Sequence, residues 1–309
     1  DLIPTLGRLL DEPLGDGSIV PTHLLARFAR QKVTVALGGD GGDELFAGYP
    51  TFQAERVAGL LMRAPRPVGR AATALFGVAA AALPVSLSYF SFDFKLKQFL
   101  RGSGLEGARR HQAWLGSLAP PDALAALAPD LAREVRGDLY ELIDQRLQRV
   151  RSADRWDRLM YFYAKGYLAD QVLAKVDRAT MAVGLEGRAP LLDSRVVALA
   201  CQVAPALRMR GLRGKLLLKH ALAGILPAHT LARKKQGFAM PIGRWLKGEL
   251  RPWLEDQLSE ARLRDGGLLE PTFVRRLVDQ HLRGQADHRK PLWTLLAFQQ
   301  WWSAWRASA

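Results

Sequence analysis

The sequence predicts an α/β protein whose parallel sheet is truncated at the N-terminus and is followed by a large, mostly helical C-terminal portion. Residues 33–37 (VTVAL) are β-branched and apolar on both faces, which is typical of a buried parallel strand. This strand lies between two helical patterns and ends in a glycine-rich turn. Partner strands are hard to find downstream, so we expect most of the sheet to lie upstream of Asp1.

Helical periodicity dominates the rest of the chain. The segment at 43–62 predicts one helix after the glycine-rich turn, and beyond about residue 122 apolar residues recur at helical spacing over 139–150, 155–168, 214–226 and 291–305. Large apolar side chains at this spacing are usually core anchors. We therefore assign a core role to one side of the last helix, which carries Trp293, Leu296, Phe298, Trp301 and Trp305.

The composition is that of a globular chain. Its 309 residues are 49% hydrophobic and carry a net charge of +14, which excludes a disordered protein. The single cysteine, Cys201, excludes an intrachain disulfide, and we interpret it as a core thiol in a reducing, cytoplasmic setting. The histidines show no ligand spacing, so we expect no built-in transition-metal site. The chain opens at Asp1 without a secretory leader, which favours a fragment of a longer protein.

The Ala-rich stretch at 68–88 is the one segment with some likeness to a membrane span. Its longest small and apolar run, 71–83, has 13 residues, whereas a helix needs roughly 20 to cross a bilayer. Alanine is a strong helix former. We predict a buried or packing helix and no membrane partner, with an interfacial segment as the alternative.

The turn after the strand concentrates residue types that bind ligands. Residues 38–44 read GGDGGDE, and its four glycines allow the backbone to approach a ligand without an intervening Cβ. Backbone N–H groups at the start of a helix favour phosphate, while Mg²⁺ binds one or two carboxylates together with phosphate oxygens. A nucleotide–Mg²⁺ site is therefore one interpretation. The alternative is that Asp43 and Glu44 only stabilise the positive end of the helix dipole.

Five segments in a fixed order carry a more specific pattern. They are DEPLGDGSIVPT (11–22), GGDGGDELFAGY (38–49), KVDRATMAVGLEGRAPLLD (175–193), GKLLLKHALAGILP (214–227) and RKKQGFAMPIGRWL (233–246). The second resembles the signature SG(D/E)GxDE(L/V)FxGY, with Gly38 where serine is usual, and the third resembles DRxxMAxxLExRxPFLD. Together they identify the chain as similar to the synthetase domain of glutamine-dependent asparagine synthetases.

The resemblance implies a fold and a reaction. The fold would be an adenine-nucleotide α-hydrolase-like (PP-loop) sheet, with a partial nucleotide-binding region over 1–100 and a helical remainder over 101–309 that can be one continuous domain. ATP would adenylate the side-chain carboxylate of aspartate and release pyrophosphate. Ammonia from glutamine would then attack the adenylate to give asparagine and AMP. This makes the protein a cytoplasmic carbon–nitrogen ligase that uses ATP and Mg²⁺.

Two family features have no counterpart in these residues. The SGGxDS loop and the glutaminase domain with its leading cysteine would both precede Asp1. We therefore expect the isolated chain to be inactive and the complete protein to supply both. A homodimer is the oligomer that the resemblance allows.

The resemblance also assigns residues around the turn. Gly38 and Gly39 would contact the AMP portion through their backbone, and Asp40 would take part in adenylate formation. Asp43 would ligate the Mg²⁺ bound to pyrophosphate, with Glu44 beside it in the cofactor site.

Lys215 matches a lysine that neutralises charge on the α-phosphate of the nucleotide. A cation in the first turn of a predicted helix is opposed by the helix dipole unless an anion binds there. The alternative is a surface lysine whose stem lies on apolar neighbours.

Other charged residues keep two interpretations. Asp177, Arg178, Glu186 and Arg188 form either a structural ion-pair network, which we favour, or direct substrate contacts. Asp11, Glu12, Asp16 and Ser18 belong either to the rim of the site or to ordinary turns. Lys234 and Lys235 belong either to a loop over the phosphates or to a solvated basic loop.

Two alternatives to asparagine synthesis stay open at this point. A related amidotransferase or cyclase would use the same site on another carboxylate, as β-lactam synthetases and peptide cyclases do. A non-catalytic, Arg-rich helical protein would bind RNA or another polyanion. We favour a solvated basic surface and expect no nucleic-acid partner, because no basic run with interleaved aromatics appears.

Overall fold

A short parallel sheet organises the part of the chain that carries the glycine-rich turn. The computed structural model describes residues 2–88, 91–233, 235–238 and 240–306. Strand β1 (Val35–Leu37) pairs in parallel with strand β2 (Glu186–Arg188). A helix precedes each strand, and these two helices, α1 (Ile19–Arg30) and α11 (Ala174–Met181), pack against each other. The carboxyl ends of both strands therefore meet at one edge, where ligands bind in parallel sheets.

Helices make up most of the remaining described chain. Up to residue 162 they are α1, α2 (Gly42–Leu45), α3 (Pro50–Arg63), α4 (Arg66–Ala82), α5 (Phe92–Arg101), α6 (Gly107–Leu115), α7 (Pro120–Ala125), α8 (Pro129–Glu134), α9 (Glu141–Leu147) and α10 (Arg155–Phe162). A π-helical segment (Tyr163–Leu173) joins α10 to α11. Beyond it lie α12 (Ser194–Gln202), α13 (Pro205–Arg208), α14 (Leu216–Ala221), α15 (Ala228–Ala232), α16 (Ile242–Trp245), α17 (Arg251–Gln257), α18 (Glu260–Gly266), α19 (Pro271–Leu282) and α20 (Arg289–Arg306). Two 3₁₀ helices span Ile3–Arg8 and Pro190–Leu192.

Strand β1 is parallel, as predicted, but its burial and its partner differ from the prediction. Leu37 is 74% exposed, because the described residues place a strand on only one side of β1. That strand, β2, lies downstream, where the residue pattern shows no sign of a partner. Its three residues, Glu-Gly-Arg, carry no apolar alternation, so periodicity could not reveal it.

The single helix predicted over 43–62 is broken into α2 and α3. Ala47 has a left-handed backbone (φ 54°), and Tyr49 is extended. Pro50 starts α3 and disfavours a helical conformation at the residue before it. The break brings Gly48 back alongside α2.

Helices α4 and α12 are more exposed than the sequence predicted. The Ala-rich segment forms α4, which packs against α3 and α5, but Leu75 and Val78 are 67% and 69% exposed. Cys201 is exposed rather than a core thiol, because Ala200 is the one buried residue of α12. Within the described ranges, no helix has the length and apolarity needed to cross a membrane.

The C-terminal helix α20 packs against the N-terminal segment of the described chain. Trp293 and Leu296 of α20 are buried, as predicted, whereas Trp305 lies at the edge and donates its indole N–H to the Leu10 carbonyl at 2.8 Å. Helix α20 also packs against the 3₁₀ helix Ile3–Arg8. The segment that follows this 3₁₀ helix is therefore held in a defined position before it reaches α1.

The buried side chain of His281, on α19, predicts that the free energy of unfolding falls at acid pH. The ring nitrogens of His281 lie 3.1 Å from the Gly243 carbonyl and 3.3 Å from the backbone nitrogen of His288. Burial lowers the pKa of His281 below its usual 6.5. The unfolded chain therefore takes up a proton below that pH while the folded chain does not, and stability falls as the pH falls. We expect urea unfolding to give a lower free energy at pH about 5.5 than at about 7.5, with a smaller difference in His281→Gln. An equal difference in both proteins would contradict this role.

Candidate active site

The glycine-rich turn lies at the carboxyl end of β1 and faces a large cavity. The Gly38 N–H donates to the Arg188 carbonyl at 2.7 Å, which extends the ladder between the strands. A Cβ at Gly39 would meet no heavy atom within 4 Å. At Gly41 the backbone is left-handed (φ 89°), and a Cβ would clash with Leu192. Glycine at 41 thus sets the turn, and Gly39 leaves the backbone open to the cavity.

Two lysines from distant parts of the chain hold the Asp43 carboxylate. Lys215 Nζ lies 2.8 Å from Asp43 Oδ1, and Lys235 Nζ lies 2.8 Å from Asp43 Oδ2. Both distances are those of charge-assisted contacts. The two ammonium groups therefore stand at the wall of the adjoining cavity, where they can contact an anionic ligand.

Lys215, whose side chain contacts Asp43, has an unusual backbone conformation. Lys215 has φ 57°, in the left-handed region, and stands directly before α14 rather than in its first turn. Its N–H donates to the Phe46 carbonyl at 2.9 Å. A non-glycine residue in this conformation costs about 1–3 kcal/mol and persists only where its surroundings fix it. Because strain of this kind is concentrated at functional sites, it supports a functional role for Lys215.

Glu44 lies beneath the turn. The residue is 2% exposed, its carboxylate accepts a hydrogen bond from the Tyr49 hydroxyl, and burial raises the pKa of Glu44. The Tyr49 ring stacks on Tyr163, with 5.4 Å between ring centroids. Glu44 thus supports the turn through Tyr49 and also lines the cavity, so its cofactor role stays a prediction, while Asp43 is the acid that contacts the two lysines. Because α2 has only four residues, a helix dipole contributes little here.

The cavity over the turn measures about 2960 Å³, well above the 300–1,000 Å³ typical of one small-molecule pocket. Asp40, Asp43, Lys215 and Lys235 line one part of it. The cavity offers room for a nucleotide and a second substrate together.

The charged residues predicted in the 175–193 block form ion pairs. Arg178 donates from Nε to Asp11 Oδ1 at 2.8 Å and from Nη1 to Asp177 Oδ2 at 2.7 Å. On β2, Arg188 donates to Glu186 at 2.6 Å. These ion pairs are half-exposed, one set around Arg178 and the other on β2, and they do not decide between a structural role and substrate contact. Asp177, Glu186 and Arg188 also line the cavity, and their contact with substrate stays a prediction.

Sequence reasoning gave too little weight to several residues in the cavity. Lys234 and Lys235 were assigned either to a loop over the phosphates or to a solvated basic loop; Lys235 contacts Asp43, and Lys234 lies outside the described residues. Lys175 and Tyr167 were not singled out, although Lys175 opens one of the matched segments. Asp16 and Ser18, predicted as candidates for the rim, line the cavity beside Lys175.

Metal ligands are sparse in the site. Among the residues that the structure describes, no three His, Cys, Asp or Glu side chains gather into a cluster that could hold an ion. Asp43 alone therefore suits a metal that arrives with its own oxygen ligands, as Mg²⁺ does on a nucleotide.

The chain is similar to known proteins over almost its whole length. Residues 1–303 match the asparagine synthase family. The protein of Mycobacterium tuberculosis strain H37Rv that is named "Putative asparagine synthetase [glutamine-hydrolyzing]" is 31% identical over 97% of this chain and 44% of its own length. Asparagine synthetase [glutamine-hydrolyzing] 1 of Bacillus subtilis is 28% identical over 97% of this chain and 45% of its own length.

The match covers nearly all of this chain but only part of each relative. The chain spans less than half the length of these curated relatives. Within that half, the matched family covers both strands, the glycine-rich turn and the two lysines. The prediction from the ordered segments is confirmed: the chain belongs to the asparagine synthase family.

Proposed function

We propose that the complete protein converts aspartate to asparagine at the expense of ATP. The side-chain carboxylate of aspartate attacks the α-phosphorus of ATP, so that β-aspartyl adenylate forms and pyrophosphate leaves. Ammonia then attacks the acyl carbon, AMP leaves, and one proton is released. The observation that carries this proposal is the Lys215–Asp43–Lys235 cluster beside the open backbone of Gly39.

The cluster supports a triphosphate as the ligand. Lys215 and Lys235 approach one carboxylate from two sides, at the carboxyl end of a parallel strand. When phosphate oxygens enter the cavity, both ammonium groups gain additional anionic partners. Fixed positive charge at this position stabilises the charge that develops as pyrophosphate leaves.

Asp43 fits a Mg²⁺ ion that is bound to the phosphates. It is the carboxylate shared by the two lysines, and one carboxylate with several phosphate oxygens is a usual Mg²⁺ ligand set. Mg²⁺, when bound, neutralises phosphate charge and orients the leaving pyrophosphate. Asp43 would hold the ion as Lys215 and Lys235 turn toward phosphate oxygens.

Asp40 and Gly38 shape the AMP end of the site. A Cβ at Gly38 would lie 2.7 Å from Asp40 Oδ2, so the serine usual at this position would touch Asp40. Glycine instead leaves the Asp40 carboxylate room to turn into the cavity, where we propose that it assists adenylate formation. The missing hydroxyl costs one hydrogen bond, about 0.5–1.5 kcal/mol of nucleotide binding.

The source of ammonia is proposed from the relatives. Both are named glutamine-hydrolyzing, and this chain corresponds to less than half of each. We propose that a glutaminase domain in another part of the complete protein supplies ammonia to the adenylate.

The test is ATP–pyrophosphate exchange by the complete protein. We expect exchange that requires both Mg²⁺ and aspartate, because labelled pyrophosphate enters ATP only when adenylate formation is reversed. Exchange with another carboxylate but not with aspartate would favour the related amidotransferases or cyclases. No exchange, together with strongly salt-dependent RNA retention, would favour the polyanion-binding alternative.

Gly48 provides a steric test of the cluster. A Cβ there would clash with Asp43 Oδ1 and Lys215 Cε. We expect Gly48→Ala to displace these groups and lower exchange on the order of 10²-fold. Gly77→Ala on α4 is the control, because its Cβ would meet nothing within 4 Å and alanine favours a helix. Equal exchange rates in the two variants would contradict the close packing of the cluster.

A further inference from the structure

A buried polar chain lies next to Tyr49, outside the cavity. It runs from Glu55 on α3 through His111 on α6 to Tyr163 at the start of the π-helical segment. These three residues are 2%, 0% and 0% exposed, and none of the three lines the cavity. Polar groups buried this deeply destabilise a fold unless they are paired, and the proposed reaction gives none of them a role.

The chain begins at a charged carboxylate. Arg110 Nη1 lies 3.0 Å from Glu55 Oε2, and Arg155 Nη1 lies 3.6 Å from Glu55 Oε1. Burial alone would raise the pKa of the Glu55 carboxyl, but His111, Arg110 and Arg155 together hold it below its usual value. Glu55 is therefore ionised, and an ionised carboxylate only accepts hydrogen bonds.

The position of Glu55 decides which ring nitrogen of His111 carries the proton. Burial lowers the pKa of His111 below its usual value, against the opposing effect of Glu55, so the ring is neutral near pH 7. His111 Nε2 lies 3.5 Å from Glu55 Oε2, and a lone pair on that nitrogen would face a negative charge. We therefore assign the proton to Nε2, which leaves Nδ1 as an acceptor.

His111 in turn orients the Tyr163 hydroxyl. His111 Nδ1 lies 2.9 Å from Tyr163 Oη, so the tyrosine hydroxyl donates to the ring. Tyr163 Oη also contacts Thr51 Oγ1. Because the Tyr163 proton already goes to His111, the Thr51 hydroxyl is the donor in this second contact. Two hydrogen bonds of fixed direction thus hold the end of the Tyr163 side chain.

Tyr49 connects Tyr163 with the lysines of the site. The Tyr49 and Tyr163 rings stack, with 5.4 Å between centroids and 22° between planes. Lys235 Nζ lies 5.8 Å from the centroid of the Tyr49 ring, within the range of a cation–π contact, and the same ammonium contacts Asp43. The Tyr49 hydroxyl donates to Glu44 below the turn. A change in the position of the Tyr49 ring would therefore move the Lys235 ammonium.

We propose that His111 and Tyr163 are positioning residues for adenylate formation. The Glu55–His111–Tyr163 chain fixes the Tyr49 ring, and Tyr49 places the Lys235 ammonium where it contacts the phosphates of ATP. This inference rests on the proposed function and adds to it two residues that lie outside the cavity.

Tyr163→Phe in the complete protein removes both hydrogen bonds but keeps the stacked ring. We expect the maximal rate of ATP–pyrophosphate exchange to fall about tenfold, because a small displacement of a charged group at a reacting centre lowers the rate strongly. The KM for ATP should change less than about twofold, since Lys235 acts mainly on the charge that develops as pyrophosphate leaves. Tyr161→Phe is the control, because it removes a hydroxyl from the same hydrophobic cluster outside the cavity, and both values should stay at those of the wild type.

Two replacements of His111 separate its two contacts. The amide oxygen of asparagine takes the place of Nδ1 and can still accept from Tyr163, whereas the amide nitrogen of glutamine reaches the place of Nε2 and keeps only the contact with Glu55. We expect His111→Asn to retain most of the exchange rate and His111→Gln to lose as much as Tyr163→Phe. Melting temperatures of both variants are measured beside the rates. A purely structural role predicts instead that the rates follow the melting temperatures.

Double variants show whether the effect passes through Lys235. Once Lys235→Met has removed the ammonium, Tyr163→Phe has no charge left to displace, and its effect should shrink from about tenfold to about twofold or less. In the Lys215→Met background most of the effect should remain, because Lys215 contacts the other oxygen of Asp43 and Lys235 is still present.

The outcomes distinguish this inference from the proposed function. Slower exchange in Tyr163→Phe, retention in His111→Asn but not in His111→Gln, and coupling to Lys235 would support the positioning role. A wild-type rate in Tyr163→Phe, an undiminished effect in the Lys235→Met background, or His111 rates that follow the melting temperatures would overturn it and leave the proposed function intact. The His111 pair keeps the test decisive even if Tyr163→Phe fails to fold. Absence of aspartate-dependent exchange in the wild type would overturn the proposed function, and this inference with it.

Discussion

Asp43→Asn is expected to lower Mg²⁺-dependent ATP–pyrophosphate exchange by about 10²–10³-fold, as removal of one preorganised charged group at a reacting centre typically does. The amide keeps the shape of the side chain but loses the negative charge that Mg²⁺ and both lysines require. The apparent Mg²⁺ requirement should also rise. Stability should change by about 1 kcal/mol or less, because the lysine partners are partly exposed.

Asp256→Asn is the matched control for that variant. Asp256 is a half-exposed carboxylate on α17 that pairs with Arg262, so the control removes an ion pair away from the cavity. We expect its exchange rate to equal that of the wild type. An Asp43→Asn protein whose exchange follows the wild-type curve across a Mg²⁺ titration would refute the metal role of Asp43.

Lys215→Met and Lys235→Met are each expected to lower kcat about 10²–10³-fold with much smaller effects on stability. Methionine keeps an unbranched stem but leaves phosphate charge unneutralised as pyrophosphate departs. The two lysines share one carboxylate. The double variant should therefore fall short of the product of the single effects, since residues in one network are not additive.

Lys165→Met is the control for both lysine variants, because Lys165 is exposed and outside the cavity. Initial exchange rates and urea unfolding should be measured on the same preparations. A normal exchange rate in Lys215→Met would mean that Lys215 is a surface lysine without a role in the reaction. Equal losses of rate and stability would indicate a structural role instead.

The sequence located the turn and part of the site, since glycines, adjacent acids and a preceding strand are local signals. Gly39, Asp40, Asp43 and Lys215 all line the cavity, and their individual roles stay predictions. The contact between Asp43 and Lys235 joins residues 192 positions apart, and no local pattern encodes such a separation. Family resemblance supplied the segment that contains Lys235, and only the tertiary structure shows where its side chain lies.

Strands and helices could be predicted from the sequence where the residue pattern of the segment itself determines the structure. The parallel character of β1 and the C-terminal helices followed from residue pattern. The partner strand β2 did not, because three residues without apolar alternation form a strand only through their pairing with β1. Exposure of Cys201 was missed because apolar neighbours in sequence do not establish which side of α12 is covered.

The position of the nucleotide is the central claim, and a crystal structure of the complete protein with Mg²⁺ and α,β-methylene ATP tests it most directly, since that analogue cannot lose pyrophosphate. We predict phosphate oxygens in contact with Lys215 and Lys235, Mg²⁺ bound to Asp43, and the AMP portion against Gly38 and Gly39. An analogue bound elsewhere, with both lysines still on Asp43, would contradict the account.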